Sequence, residues 1–201
     1  MSLRHSLAAA LAAAALVLAG CDNPFGTSKS PFSGIDVTGG EMGGGALRLQ
    51  DHEGRARSLA DFRGKVVVVI FGFTHCPDVC PTQLADMAKA VRQLGDRGAE
   101  VQVLFVTVDP KRDTAELLRQ YVPAFHPAFI GLRGSEAETA AVTKDFKVYA
   151  SERAGKTPET YTVDHSAQMF VFDRQGRLRL LLPPNLASAA ISSDLRVLLN
   201  S

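Results

Sequence analysis

Tryptophan is absent from the chain, and aromatic residues make up only 7% of it. That argues against a sugar-stacking groove or a platform for single-stranded nucleic acid, both of which rest on exposed rings. Neither sign of charge is in excess: 22 Lys and Arg stand against 21 Asp and Glu, for a net charge of +1. Phosphate backbones are held through many cations, so nucleic acid is not an expected partner. There is no internal repeat and no Gly-rich phosphate loop. The uncharged run Leu7 to Leu18 is shorter than the ~20 apolar residues of a membrane-spanning helix. Cysteine is the most telling scarcity, with three residues in 201, at Cys21, Cys76 and Cys80.

What is present divides the chain into three parts. Residues 1–20 read as a signal segment, with Arg4 and His5 ahead of the Ala/Leu run. It ends Leu18-Ala19-Gly20-Cys21, which resembles a bacterial lipobox, so cleavage is expected to leave a lipid on Cys21. Asp22, by resemblance to enterobacterial lipoproteins, implies retention in the inner (cytoplasmic) membrane, facing the periplasm. Residues 21–45 are rich in Gly, Ser, Pro and Thr and read as a flexible tether. Residues 46–201, in a chain with 46% apolar content, suffice for one globular domain.

Within that domain, Ala46 to Ser58 reads as a β-hairpin turned at Asp51-His52-Glu53-Gly54. Lys65 to Phe71 is apolar on both faces, the pattern of a central strand covered by helices. Pro81 and the spacing of Leu84, Met87, Ala88, Val91 and Leu94 predict a helix after the cysteine loop. Val101 to Val108 predicts a second strand, Gln168 to Phe172 a third and Arg177 to Leu182 a fourth. Helices are expected over Thr114 to Tyr121, Ser135 to Phe146 and Ala187 to Leu199. The alternation predicts an α/β fold, a central sheet flanked by helices with an N-terminal β-hairpin.

The chemistry is expected at Cys76 and Cys80, in Phe71-Gly-Phe-Thr-His-Cys-Pro-Asp-Val-Cys-Pro-Thr82. Two thiols about one helical turn apart can reach each other or one metal ion. A strand end that becomes a helix start should lower thiol pKa and favour thiolate, which is both nucleophile and soft ligand. A metal needs further donors. His5 leaves with the signal, His52 reads as a solvated turn residue, His75 adjoins Cys76, and His126 reads as a packing or capping residue. His165, in Val163-Asp164-His165-Ser166 just before a core strand, is placed to face the loop, with Asp164 as its support. One imidazole with two thiolates suits copper(I), with zinc as the generic competitor. Asp78 is the nearest carboxylate for a further position, although a solvated loop acid is the simpler reading.

Four stretches together resemble the Sco/SenC family: the cysteine loop, Val108-Asp-Pro-Lys-Arg-Asp-Thr114, Phe125-His-Pro-Ala-Phe-Ile-Gly131 and Tyr161-Thr-Val-Asp-His-Ser166. The resemblance covers roughly residues 45–180 and implies a thioredoxin-like fold. It implies a copper metallochaperone, with Cys76, Cys80 and His165 as copper ligands, delivering to the copper A centre of cytochrome c oxidase subunit II. Leu180-Leu-Leu-Pro-Pro-Asn-Leu186 departs from the polar, aromatic-containing segment of that family. The loop also leaves Cys76 and Cys80 able to form a disulfide, so a thiol-disulfide reductase acting on the copper A cysteines is the alternative. Against it, Asp164-His165-Ser166 stands where thioredoxin-type oxidoreductases carry a proline facing the dithiol. Thr74-His75-Cys76 is a faint echo of a peroxiredoxin nucleophile loop.

Overall fold

The computed structural model describes residues 30–40, 43–155, 157 and 160–201. The signal segment and Cys21 lie outside them. In chain order the elements are β1 (Ile35–Asp36), β2 (Arg48–Asp51), β3 (Ala56–Ser58), β4 (Val66–Gly72), α1 (Val79–Gln93), β5 (Val101–Thr107), α2 (Ala115–Phe125), β6 (Ile130–Arg133), α3 (Glu136–Asp145), β7 (Ala150–Arg153), β8 (Thr162–His165), β9 (Met169–Phe172), β10 (Leu178–Leu182) and α4 (Ser188–Leu199).

Among the described residues, eight strands form one mixed sheet in the order β1-β10-β9-β4-β5-β6-β2-β3. β4, β5 and β6 run parallel, while β9 joins β4 antiparallel. β7 and β8 form a separate antiparallel pair. All seven residues of β4 are buried. Their side chains alternate, with Val66, Val68 and Ile70 in one core and Val67, Val69 and Phe71 in the other. Leu84 and Met87 of α1, Leu118 and Val122 of α2, and Ile191 and Leu195 of α4 close the first core. Val142 of α3 and Phe146 just beyond it close the second. Phe146 meets Phe71, Phe170 and Phe172 edge-on, at centroid distances of 5.1, 5.0 and 6.0 Å. The α/β fold with a thioredoxin-like central sheet and an N-terminal hairpin is therefore as expected.

Two expectations change. The folded unit begins at Pro31, not at Ala46. Residues 35–36 pair with β10, and Val37 continues the contact by donating to the Arg179 carbonyl at 2.9 Å. A buried carboxylate, Asp194 of α4, accepts from the Ser33 and Gly34 amides at 2.8 Å each. Composition hid this, because two strand residues show no periodicity. Also, α2 runs on to Phe125 with Pro123 inside its last turn, instead of ending at Tyr121. Within the divergent segment, Leu180 and Leu182 are fully buried on β10, while Pro184 and Asn185 are exposed.

Candidate metal centre

β4 ends at Gly72, and the chain crosses Phe73 to Asp78 before α1 starts at Val79. Cys76 therefore lies in the connecting loop and Cys80 in the first helical turn. The Cys80 amide donates to Cys76 Sγ at 3.5 Å, so that sulfur serves a helix N–H that has no partner within its own helix. Cys80 is fully buried and Cys76 only partly. Both are free thiols. Gly72 makes room for the Cys80 sulfur. A Cβ there would stand 2.8 Å from Cys80 Sγ and 2.7 Å from the Phe105 ring, and real contacts are never so close.

His165 closes the other side. β8 carries it to 3.8 Å, Nε2 to Cys80 Sγ, and its ring sits edge-on to Phe73 at 5.8 Å. Its Nδ1 lies 3.1 Å from the Val163 carbonyl, which can only accept. The proton thus belongs on Nδ1, and Nε2 turns its lone pair toward the thiol. The expected support from Asp164 is not found. That carboxylate pairs with Arg153 across the β7–β8 ladder, because neighbouring strand residues point to opposite faces.

The expected lowering of thiol pKa is reversed at Cys80. Burial pushes it well above the ordinary thiol range, with the thiol of Cys76 adding to the rise against an opposing hydrogen bond from Phe73. Desolvation of a sulfur with no exposed surface outweighs the helix terminus. A metal ion entering there displaces a proton.

Two carboxylates of the Val108–Thr114 turn, which sequence reasoning noted only as a motif, fix both halves of the site. Asp113 is fully buried and accepts from the Thr74 amide at 3.1 Å, from Thr74 Oγ1 at 2.6 Å and from Thr107 Oγ1 at 2.6 Å. It thereby pins the residue two before Cys76 to the end of β5. Burial raises its pKa, opposed by those same hydrogen bonds. Asp109 accepts from Arg112 Nε at 2.5 Å and from the Tyr161 hydroxyl at 2.7 Å. Arg112 also donates to the Tyr161 carbonyl at 2.8 Å, and its guanidinium lies 3.6 Å from that ring's centroid. Tyr161 leads into β8, so this clamp sets the strand that bears His165.

The other histidines stand apart from the thiols in their bonding. His75 is half exposed, with Nδ1 at 3.1 Å from Thr74 Oγ1 and 3.8 Å from Asp113. His126 stacks on Phe129 at 4.9 Å and accepts from the Ala128 amide, a loop role as expected. His52 corrects its expectation: it is buried, accepts from the Gly131 amide at 3.0 Å, and has its pKa lowered by burial. Asp78 is exposed beside Thr82 at the start of α1. Among the described residues no three His, Cys, Asp or Glu side chains are already gathered around one point. The donors on hand are nonetheless soft, two thiols and an imidazole, and they suit a copper(I) ion better than a hard cation.

A mixed sheet thus carries a dithiol at a strand–helix junction with an imidazole against it, an arrangement chemically able to hold a soft metal ion or to close into a disulfide. The sequence pattern of the SCO1/SenC family matches residues 36–200, and the chain belongs to that family. It is 44% identical over 137 residues to the mitochondrial SCO2 homolog of Bos taurus, covering 67% of this chain and 52% of that protein. The chain thus spans about half the length of the curated relatives it matches. Apo Sco1 from Thermus thermophilus superposes with a TM-score of 0.75 at 38% identity, over 83% of this chain and 96% of the other. ScoI from Bradyrhizobium japonicum, solved with copper bound, gives 0.72 at 35% identity, over 78% of this chain and 99% of the other.

Proposed function

We propose that this protein is a membrane-anchored copper metallochaperone of the periplasmic face, holding copper as cargo through Cys76, Cys80 and His165. Its acceptor is the copper A domain of cytochrome c oxidase subunit II. The observation that carries the reading is the 3.8 Å approach of His165 Nε2 to Cys80 Sγ, with the Cys76 sulfur seated at the same helix start. Copper bound in a relative 35% identical supports the choice of metal. A Cys76–Cys80 disulfide has no thiolate to offer, so loading is gated by oxidation: reduction by a partner dithiol restores the ligands and oxidises the partner.

Anaerobic copper(I) titration of the reduced domain against a chelator tests this. One-to-one binding should be lost in Cys76→Ser and Cys80→Ser, weaken by at least tenfold in His165→Ala, and be absent from the disulfide form. Equal affinity in His165→Ala would remove that residue from the site.

A thiol-disulfide reductase acting on the copper A cysteines is the second reading. It is favoured by the asymmetry of the pair, a partly exposed Cys76 for attack and a buried Cys80 to resolve. Undiminished disulfide reduction by His165→Ala, together with absence of copper binding in wild type, would establish it over the first.

A further inference from the structure

His165 is carried by a strand that the main sheet does not hold. Among the described residues β8 pairs with β7 alone, in a ribbon separate from the eight-stranded sheet whose β4 leads into the cysteine loop. Its distance from the thiols is therefore set by side chains and not by a backbone ladder. Ahead of β8, the clamp of Asp109, Arg112 and Tyr161 does this. Beyond β8 the chain runs from His165 through Ser166 and Ala167 to Met169 of β9, and there it meets α1. Gln83 Nε2 donates to the Ala167 carbonyl at 2.6 Å. Gln83 is three residues after Cys80 on the same side of α1, and only 1% exposed.

A carbonyl can only accept, so the amide nitrogen of Gln83 faces Ala167 and its oxygen points elsewhere. That oxygen, Oε1, is buried without a hydrogen-bond partner. An unpaired buried acceptor is destabilising, and a methionine would fill much the same space without it. The amide therefore acts through one bond, the one to Ala167. Among the described residues, two polar contacts join α1 to the segment 162–169: that bond, and the 3.8 Å approach of Cys80 Sγ to His165 Nε2. They lie one helical turn apart along α1 and two residues apart along the other chain segment. The second span is within the roughly 4.3 Å that a metal–sulfur and a metal–nitrogen bond cover end to end. We propose that Gln83 is a positioning residue for copper binding, tying Ala167 to α1 and so holding His165 within one ion's reach of Cys80. This rests on the copper reading of the site.

Gln83→Met keeps the length of the side chain and removes its donor. Copper(I) affinity should fall roughly tenfold, the scale for a partner that orients a ligand. A residue that acts through His165 has nothing to act on once the imidazole is gone. In a His165→Ala background, Gln83→Met should therefore change affinity by less than about twofold, the limit of independent effects. In the reduced protein without metal, the His165 ring resonances should shift in Gln83→Met, while those of His126, stacked on Phe129, stay in place. Wild-type affinity in Gln83→Met overturns this proposal alone. So does an equal loss with and without His165, or an unmoved His165 ring, either of which would make Gln83 a packing residue of α1. A wild-type protein that binds no copper(I), or binds it equally well as His165→Ala, overturns the metal reading as well.

Discussion

Cys80 shows how one position can reverse a rule drawn from chain direction. A helix start favours thiolate, but a sulfur with no exposed surface loses its hydration, and the second effect wins. The sulfur is exacting sterically as well as electrostatically, because Gly72 leaves it no spare room. Gly72→Ala should therefore displace the Cys80 side chain or the Phe105 ring. The expected result is a loss of about 1–3 kcal/mol in urea unfolding, the usual scale of overpacking, with weakened copper(I) binding. Wild-type stability and affinity in Gly72→Ala would show that the strand end yields without moving the thiol. Residues outside the cysteine loop matter equally. Asp113 holds the loop through Thr74, and Asp109 with Arg112 holds the approach to His165 through Tyr161.

At the scale of elements, one turn is used twice. Asp51-His-Glu-Gly-Arg55 joins β2 to β3, and Asp173-Arg-Gln-Gly-Arg177 joins β9 to β10. In each, a fully buried carboxylate accepts from the amides two and four residues on, at 2.9–3.0 Å, and from the arginine Nε. In each the glycine takes positive φ, +83° at Gly54 and +75° at Gly176, a conformation costly to any residue with a Cβ. Burial alone would raise both carboxyls, yet the amide and guanidinium donors outweigh it and hold them below the ordinary carboxylate range. Their folded values being lowered, the stability they supply is complete above the unfolded value of about 4 and is lost as pH falls through the folded one. Asp51→Asn and Asp173→Asn should each cost about 1–3 kcal/mol at pH 7 in urea unfolding. The deficit should shrink as pH falls below the unfolded value and through the lower folded one, where wild type also loses the charge. A deficit unchanged across that acid range would assign it to shape and not to ionisation.

For the whole molecule, the attachment of Pro31 to Val37 along β10 and α4 means that the fold already includes residues the composition assigns to a tether. A lipid on Cys21, expected from the sequence, would raise the effective concentration of the protein toward a partner at the same membrane face. Cys21→Ser should release the protein into the soluble periplasmic fraction with its copper(I) affinity unchanged. Retention in the membrane fraction after a high-salt wash would show that residues 1–20 anchor it without lipid.

The sequence alone determined the central strand, the covering helices, the turn at Asp51 to Gly54 and the candidate donors Cys76, Cys80 and His165. Each of these is written locally, in an apolar run, a helical spacing, a turn residue or a rare side chain. Tertiary structure decided what depends on residues far apart in the chain. β1 exists only because β10 offers an edge and Asp194, 160 residues away, offers a carboxylate to Gly34. His52 is buried because Gly131 packs over it, and the Cys80 thiol is pushed above the ordinary thiol range because it is buried in the first core. Which of His165's neighbours supports the ring was likewise settled by the pleat of β8, which turns Asp164 to Arg153 and leaves the Val163 carbonyl to the imidazole.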